Sequence, residues 1–120
     1  MTIEETLESY DQAWHEDDED ACRALLTRCL TDDGVYCDPT VHIVGPDAFA
    51  EHIVQSRRAF GGFRIERTSG CEQHHGYGRF AWRMTSKDGE LIVEGFDVVQ
   101  LAADGRFTSI VGFFGPFPER

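Results

Sequence analysis

The sequence predicts a single α+β domain, with helices in its first half and an antiparallel sheet in its second half. Apolar residues recur at helical spacing up to residue 60, whereas from residue 63 onward they alternate and are interrupted by Asp-Gly turns. The chain has 120 residues, which is the length of one domain. We therefore expect residues 1–120 to form a cone-shaped α+β barrel, with three N-terminal helices packed on a curved, mostly antiparallel sheet.

Three stretches have the apolar spacing of amphipathic helices: residues 2–16, residues 20–31, and the stretch from Gly45-Pro46-Asp47 to Gly61-Gly62. Thr2 is suited to cap the first helix, and a proline in the first turn is expected to begin the third. Gly34 is expected to end the second helix in a left-handed turn. The apolar stripe of the first helix consists of Ile3, Leu7, Tyr10 and Trp14.

Strands are predicted on both sides of the third helix. A short strand at residues 35–38 precedes an extended link at residues 41–45. Phe80, Trp82 and Met84 alternate within a later strand and are expected to share one face of the sheet. The four strands predicted after the third helix are residues 63–69, 71–84, 90–101 and 106–115.

The charge of the chain restricts the classes of partner. The sequence carries 22 acidic and 11 basic residues, so its formal net charge is −11. Nucleic acids and anionic membranes are therefore not expected as partners, because both require clustered basic side chains. The four cysteines form no CxxC pair, no metal-ligand spacing is present, and no apolar run approaches the roughly 20 residues of a membrane span. We expect a cytoplasmic protein with free thiols and no metal or cofactor.

Two acidic residues stand in apolar surroundings. Asp38 ends the short strand immediately before Pro39, and Asp97 lies inside the apolar run at residues 94–101. A carboxylate in such a strand is costly unless it is partnered or used chemically. Asp38 therefore either lines a pocket or caps a local turn. Asp97 either lines the same pocket or is a structural acid bonded to Tyr10 or Tyr36.

Aromatic side chains are expected to form the walls of an apolar pocket for a small-molecule ligand. The chain is 12% aromatic, which supplies enough rigid side chains either to keep a cavity open or to fill a thick core. Alternation places Tyr36 on the same side as Asp38. The opposite face of the sheet is also apolar, so we expect a homodimer through the sheet. The residues predicted as pocket walls are Trp14, Tyr36, Phe49, Trp82 and Phe113, and the histidines are expected to be solvated or structural.

The chain resembles the SnoaL-like branch of the ketosteroid-isomerase and nuclear-transport-factor superfamily. The resemblance covers nearly the whole chain, from the helix-helix-strand start to the closing pair of strands. The motifs that carry it are Asp38-Pro39, Gly45-Pro46, Phe96-Asp97-Val98-Val99-Gln100-Leu101, Asp104-Gly105-Arg106 and Gly112-Phe113-Phe114-Gly115. This superfold hosts several enzyme classes and also proteins that are not enzymes, so the resemblance specifies the fold more closely than the function.

The isomerase members of that superfamily imply specific roles. By resemblance, Asp38 is the base that moves a proton next to a carbonyl, and Asp97 is a protonated donor to the oxyanion. Tyr10 is the candidate for the helix tyrosine of these enzymes, with Trp14 as the alternative occupant of that position. The Asp-Arg-Asp relay of epoxide hydrolases does not assemble from the sequence, since Arg83 alternates away from the expected pocket. The remaining alternatives are a non-catalytic binding module and a protein-interaction domain.

Overall fold

The computed structural model describes residues 1–120 and contains three helices and seven strands. The chain begins with α1 (Ile3–Trp14) and α2 (Glu19–Cys29), continues through the hairpin β1 (Leu30–Asp38) and β2 (Val41–Val44), and then enters α3 (Pro46–Phe60). The remaining elements are β3 (Phe63–Arg67), β4 (Glu72–His74), β5 (Tyr77–Ser86), β6 (Leu91–Leu101) and β7 (Phe107–Phe114).

Local sequence signals account for the helix ends. Thr2 and Glu5 form a capping box at the start of α1, in which each side chain accepts a hydrogen bond from the other's backbone N–H. Asp18 caps α2 by accepting from the N–H of Ala21. Gly61 ends α3 at φ 68°, a left-handed conformation that glycine adopts without steric cost. None of the three helices is both long and apolar enough to cross a membrane.

The strands form one sheet in the order β2-β1-β7-β6-β5-β3, with β4 attached to β5. Every neighbouring pair is antiparallel except β1 and β7, which run parallel. The prediction of three helices on a mostly antiparallel sheet is therefore confirmed. The sheet is open, because β2 and β3 lie at its two ends and do not pair with each other.

The core lies between the helices and one face of the sheet. Leu7, Leu26 and Ile53 contribute fully buried side chains from the three helices, and Phe107 and Ile110 contribute them from β7. These residues belong to a single cluster of 19 buried apolar residues. The helices therefore cover the face of the sheet toward which Asp97 also points, since only 5% of Asp97 is exposed.

The element boundaries around β1, β2 and β4 differ from the sequence prediction. The second helix ends at Cys29, and β1 begins at Leu30, where pairing with Phe107 of β7 replaces the expected helical continuation. Gly34 lies inside β1; a Cβ atom there would lie 2.5 Å from Cδ1 of Leu30, so close packing explains the glycine. The expected link at residues 41–45 contains β2, and a turn at His75-Gly76 divides the expected strand at residues 71–84 into β4 and β5.

Candidate active site

A pocket opens between α1 and the inner face of the sheet. It has a cavity volume of about 70 Å³ and is lined by 14 residues, nine of them hydrophobic. Drug-sized ligand pockets usually have volumes of about 300–1,000 Å³, so this cavity suits a compact molecule. The prediction that Phe80, Trp82 and Met84 share one face of the sheet is confirmed, and that face is the inner one, since all three line the cavity.

Asp38 lies on the pocket wall at the end of β1 and accepts three hydrogen bonds. The Tyr36 hydroxyl donates to Oδ2 at 2.6 Å, while the hydroxyl and the backbone N–H of Thr40 donate to Oδ1 at 2.6 and 2.8 Å. Partial burial by itself raises the pKa of Asp38, but these hydrogen bonds outweigh burial and hold the pKa below its usual value. Asp38 is therefore a carboxylate at neutral pH.

Asp97 lines the same pocket from β6, and its environment raises its pKa, in contrast to that of Asp38. Its Oδ1 accepts a 2.9 Å hydrogen bond from Nε1 of Trp82, and only 5% of the residue is exposed. Burial raises the pKa of Asp97 to about 7, against the lowering effect of the Trp82 hydrogen bond, and the negative charge of Asp38 adds to the rise. Asp97 therefore carries a proton in a substantial fraction of molecules at neutral pH.

Gly112 separates the two acids. It pairs with Asp97 across the β6–β7 ladder and lies beside the end of β1. A Cβ atom at Gly112 would lie 3.0 Å from Oδ1 of Asp97 and 3.4 Å from Cβ of Asp38. The two carboxyl groups therefore face a common space across a position that has no side chain.

Tyr10 and Trp14 both line the pocket, one turn apart on α1. Both candidates for the position of the helix tyrosine of the isomerases therefore lie at the pocket wall. Tyr10 is nearly buried, and burial raises its pKa well above the usual value, so its hydroxyl stays protonated. Tyr36 also lines the pocket, and its bond to Asp38 matches the predicted side of the strand.

Two predicted wall residues lie elsewhere. Phe49 is fully buried behind the pocket and stacks on Tyr36 with ring centroids 4.3 Å apart, so it supports the wall from behind. Phe113 lies on the outer face of the sheet, stacked on Phe96 and 50% exposed. The placement of Phe113 in the pocket is wrong because Gly112 faces inward with Asp97 and the strand alternates. Phe114, the next residue, lines the pocket instead.

The sequence prediction missed an ion pair at the pocket. Nε of Arg67 donates a 2.9 Å hydrogen bond to Oδ2 of Asp11, and both residues line the cavity. Burial raises the pKa of Asp11 above its usual value, against the opposing effect of the Arg67 guanidinium. Two signals were present in the sequence: Asp11 follows Tyr10 on α1, and Arg67 lies two and four residues after Ile65 and Phe63, on the same inward face of β3. No local pattern could have joined residues 56 positions apart.

The histidines near the pocket have structural contacts. His15 bonds the Asp11 carbonyl through Nδ1 at 2.7 Å and accepts the Ile65 N–H at Nε2 at 2.9 Å, which ties α1 to β3. His52 lies beside Trp14 and Tyr36, and burial lowers its pKa against the effect of Asp38.

The Asp-Arg-Asp relay of epoxide hydrolases is not formed. Arg83 pairs with Glu66 at 2.8 Å, and Arg67 pairs with Asp11, so neither arginine bridges Asp38 and Asp97. No group of three or more His, Cys, Asp or Glu side chains is arranged to hold a metal ion.

Comparison with known proteins identifies the family. The SnoaL-like domain family matches residues 7–110, so this chain belongs to the SnoaL-like family. A crystal structure of a proposed isomerase of that family from Agrobacterium tumefaciens is similar at 32% identity and a TM-score of 0.84, covering 92% of this chain and 95% of that one. No protein of curated function matches the chain in sequence.

More distant structures share the fold. A protein of unknown function with a cystatin-like fold from Methylobium petroleophilum is 17% identical with a TM-score of 0.77, over 98% of this chain and 78% of that one. A proposed polyketide cyclase from Sinorhizobium meliloti is 16% identical with a TM-score of 0.69, over 89% of this chain and 92% of that one.

Proposed function

We propose that this protein catalyses proton transfer next to the carbonyl group of a small, largely apolar compound, in an isomerase or cyclase type of reaction. The observation that carries the proposal is the opposite pKa shift of two acids on one pocket, Asp38 lowered and Asp97 raised to about 7. Two titratable groups with divergent pKa values can act as base and acid at the same pH. The similar protein from Agrobacterium tumefaciens, described as a proposed isomerase, supports this class of reaction.

In the proposed step, the carboxylate of Asp38 removes a proton from the carbon next to the carbonyl. The electron pair of the broken C–H bond moves into the carbon–carbon bond, and negative charge develops on the carbonyl oxygen. The Asp38 carboxyl then returns a proton to that carbon or to another carbon of the conjugated system, and the returned proton comes from solvent whenever the carboxyl exchanges with water before the return. Asp38 ends the step as a carboxylate, so the protein is unchanged.

Asp97 stabilises the developing oxyanion in this mechanism. Oδ1 of Asp97 accepts the hydrogen bond from Trp82, so neutral Asp97 carries its proton on Oδ2 and can donate it to the substrate oxygen. Tyr10 is the proposed second donor, since its hydroxyl remains protonated on the same wall. Donors fixed in position before the reaction stabilise a developing charge more strongly than mobile water does.

Hydrogen exchange tests this proposal without knowledge of the product. Small linear and cyclic ketones are incubated with the protein in deuterium oxide, and deuterium incorporation next to the carbonyl is followed by NMR. We expect incorporation above the buffer rate with the wild type, a loss of about a hundredfold or more in Asp38→Asn, and no loss in Asp88→Asn. Asp88 is an exposed turn residue outside the pocket, so it is the matched control. Equal exchange by wild type and Asp38→Asn would contradict the assignment of the base.

A second candidate function is non-catalytic binding of a small molecule. The observation that favours it is the saturation of Asp38, whose two oxygens already accept three hydrogen bonds and are therefore weakly basic. This alternative predicts ligand affinity that survives Asp38→Asn and falls in Trp82→Ala, with no hydrogen exchange in either. The cavity weighs against a filled cone serving only as a protein-interaction domain.

A further inference from the structure

Arg67 is the only arginine or lysine that lines the pocket. Its side chain is 26% exposed, and Asp11 holds it through Nε alone. Neither terminal nitrogen donates a hydrogen bond within the protein. The guanidinium is therefore fixed in orientation along one edge, while the end that carries both terminal nitrogens remains free.

The free end of the guanidinium matches a planar group with two oxygens. Arginine binds carboxylates through two parallel N–H···O bonds, and a guanidinium that is already oriented loses less conformational entropy in forming them. Asp11 supplies that orientation without occupying the free end. Arg67 also pairs with Trp82 across the β3–β5 ladder, and the indole N–H of Trp82 donates to Asp97, so the strand positions of the anchor and of the residue that holds the proposed oxyanion donor are directly opposite each other.

The charges around the cavity favour one direction of binding. Asp38 is a carboxylate and repels an anionic group, whereas Arg67 attracts one. Asp97 and the wall residue Tyr10 are almost buried and therefore mark the deep end, or floor, of the cavity, while His15 is exposed and marks the mouth near Asp11. A substrate with a ketone at one end and an anion at the other would place the ketone at the floor and the anion against Arg67.

We propose that Arg67 is a specificity-determining residue that anchors the carboxylate of a small keto acid whose carbonyl group lies between Asp38 and Asp97. This inference rests on the proposed function, because it names the class of substrate for the same pocket. Asp11 is the positioning residue that orients the anchor.

The test compares levulinate and its next two linear homologues with their methyl esters, which keep the ketone and remove the charge. Affinities are measured by NMR titration for the wild type, Arg67→Gln and Arg67→Lys. Arg83→Gln is the matched control, since Arg83 is paired with Glu66 on the outer side of the same sheet. We expect the wild type to bind at least one acid roughly tenfold more tightly than its ester.

The ratio of acid affinity to ester affinity decides the outcome. We expect a ratio near one in Arg67→Gln, an intermediate ratio in Arg67→Lys because the fork geometry is lost, and the wild-type ratio in Arg83→Gln. A merely structural ion pair would lower stability without moving this ratio. If the esters bind the wild type as well as the acids do, the anchor is wrong while the ketone pocket stands. If neither acids nor esters bind, the proposed function fails and the anchor fails with it.

Discussion

Nε1 of Trp82 donates a 2.9 Å hydrogen bond to Oδ1 of Asp97, so the most deeply buried acid of the pocket has one neutral donor and no cation. A cationic partner would keep such an acid ionised, whereas an indole N–H satisfies one oxygen without compensating the charge. The pKa of about 7 follows from burial beside a neutral donor instead of a cation. Because Trp82 bonds only Oδ1, the second oxygen, Oδ2, is available to carry a proton.

Replacing Trp82 with phenylalanine should raise the pKa of Asp97 further, because the hydrogen bond that lowers it is removed. The variant should also be less stable by about 1–3 kcal/mol, since a buried acceptor loses its donor and the cavity grows. NMR titration and chemical denaturation measure the two effects. Trp14→Phe is the control: it removes an indole from the same pocket without removing a donor to Asp97, so the pKa of Asp97 should not move.

Asp97→Asn should change how stability depends on pH. The native pKa of about 7 lies above the ordinary value of 3.8, so the native state holds a proton that the unfolded state has released between those values. The wild type should therefore lose about 1.4 kcal/mol of unfolding free energy for each pH unit from about 4 to 7 through this group. Asp97→Asn lacks this loss and should become the more stable protein above pH 7. Denaturation curves with the same pH dependence in both proteins would refute the shifted pKa.

Gly112→Ala should disturb both acids at once. The new methyl group would lie 3.0 Å from Oδ1 of Asp97, closer than ordinary contact, and 3.4 Å from Cβ of Asp38. We expect a loss of ketone binding together with a shifted pKa of Asp97. Gly70→Ala is the matched control, because no atom lies within 4 Å of its Cβ position and its backbone is not left-handed. Ketone affinity is measured by NMR titration, and unchanged affinity in Gly112→Ala would argue against a ligand in the space between the acids.

The outer face of the sheet should form a homodimer. Phe96 and Phe113 stack there with centroids 5.3 Å apart, and Phe117, 86% exposed, lies 6.1 Å from Phe96. An aromatic cluster of this kind on an open face is typical of an interface. Phe113→Asp should convert the dimer to a monomer in sedimentation analysis. Phe60→Asp is the control, because it changes an exposed phenylalanine at the end of α3 and should leave the dimer intact. A wild type that is monomeric at all concentrations would contradict the interface.

The features of the pocket that are predictable from the sequence are those with local signals. Asp38 before Pro39 and Asp97 within an apolar run are visible as polar residues in unfavourable surroundings, and both line the pocket. Phe113 was misplaced because the face of a residue depends on strand register, which the pairing of Asp97 with Gly112 sets. The bond between Arg67 and Asp11 joins two distant segments, so it depends on how α1 packs against β3.

The most direct test of the central claim is a side-chain carboxyl titration of the wild type and Asp38→Asn by NMR. We predict that Asp97 titrates near pH 7 in the wild type, that Asp38 titrates below its ordinary value, and that the pKa of Asp97 falls when the Asp38 charge is removed. Such a result establishes a base and an acid on one pocket at neutral pH. If both acids titrate together near pH 4, the pocket has no acid poised for donation, and the proposed chemistry is wrong.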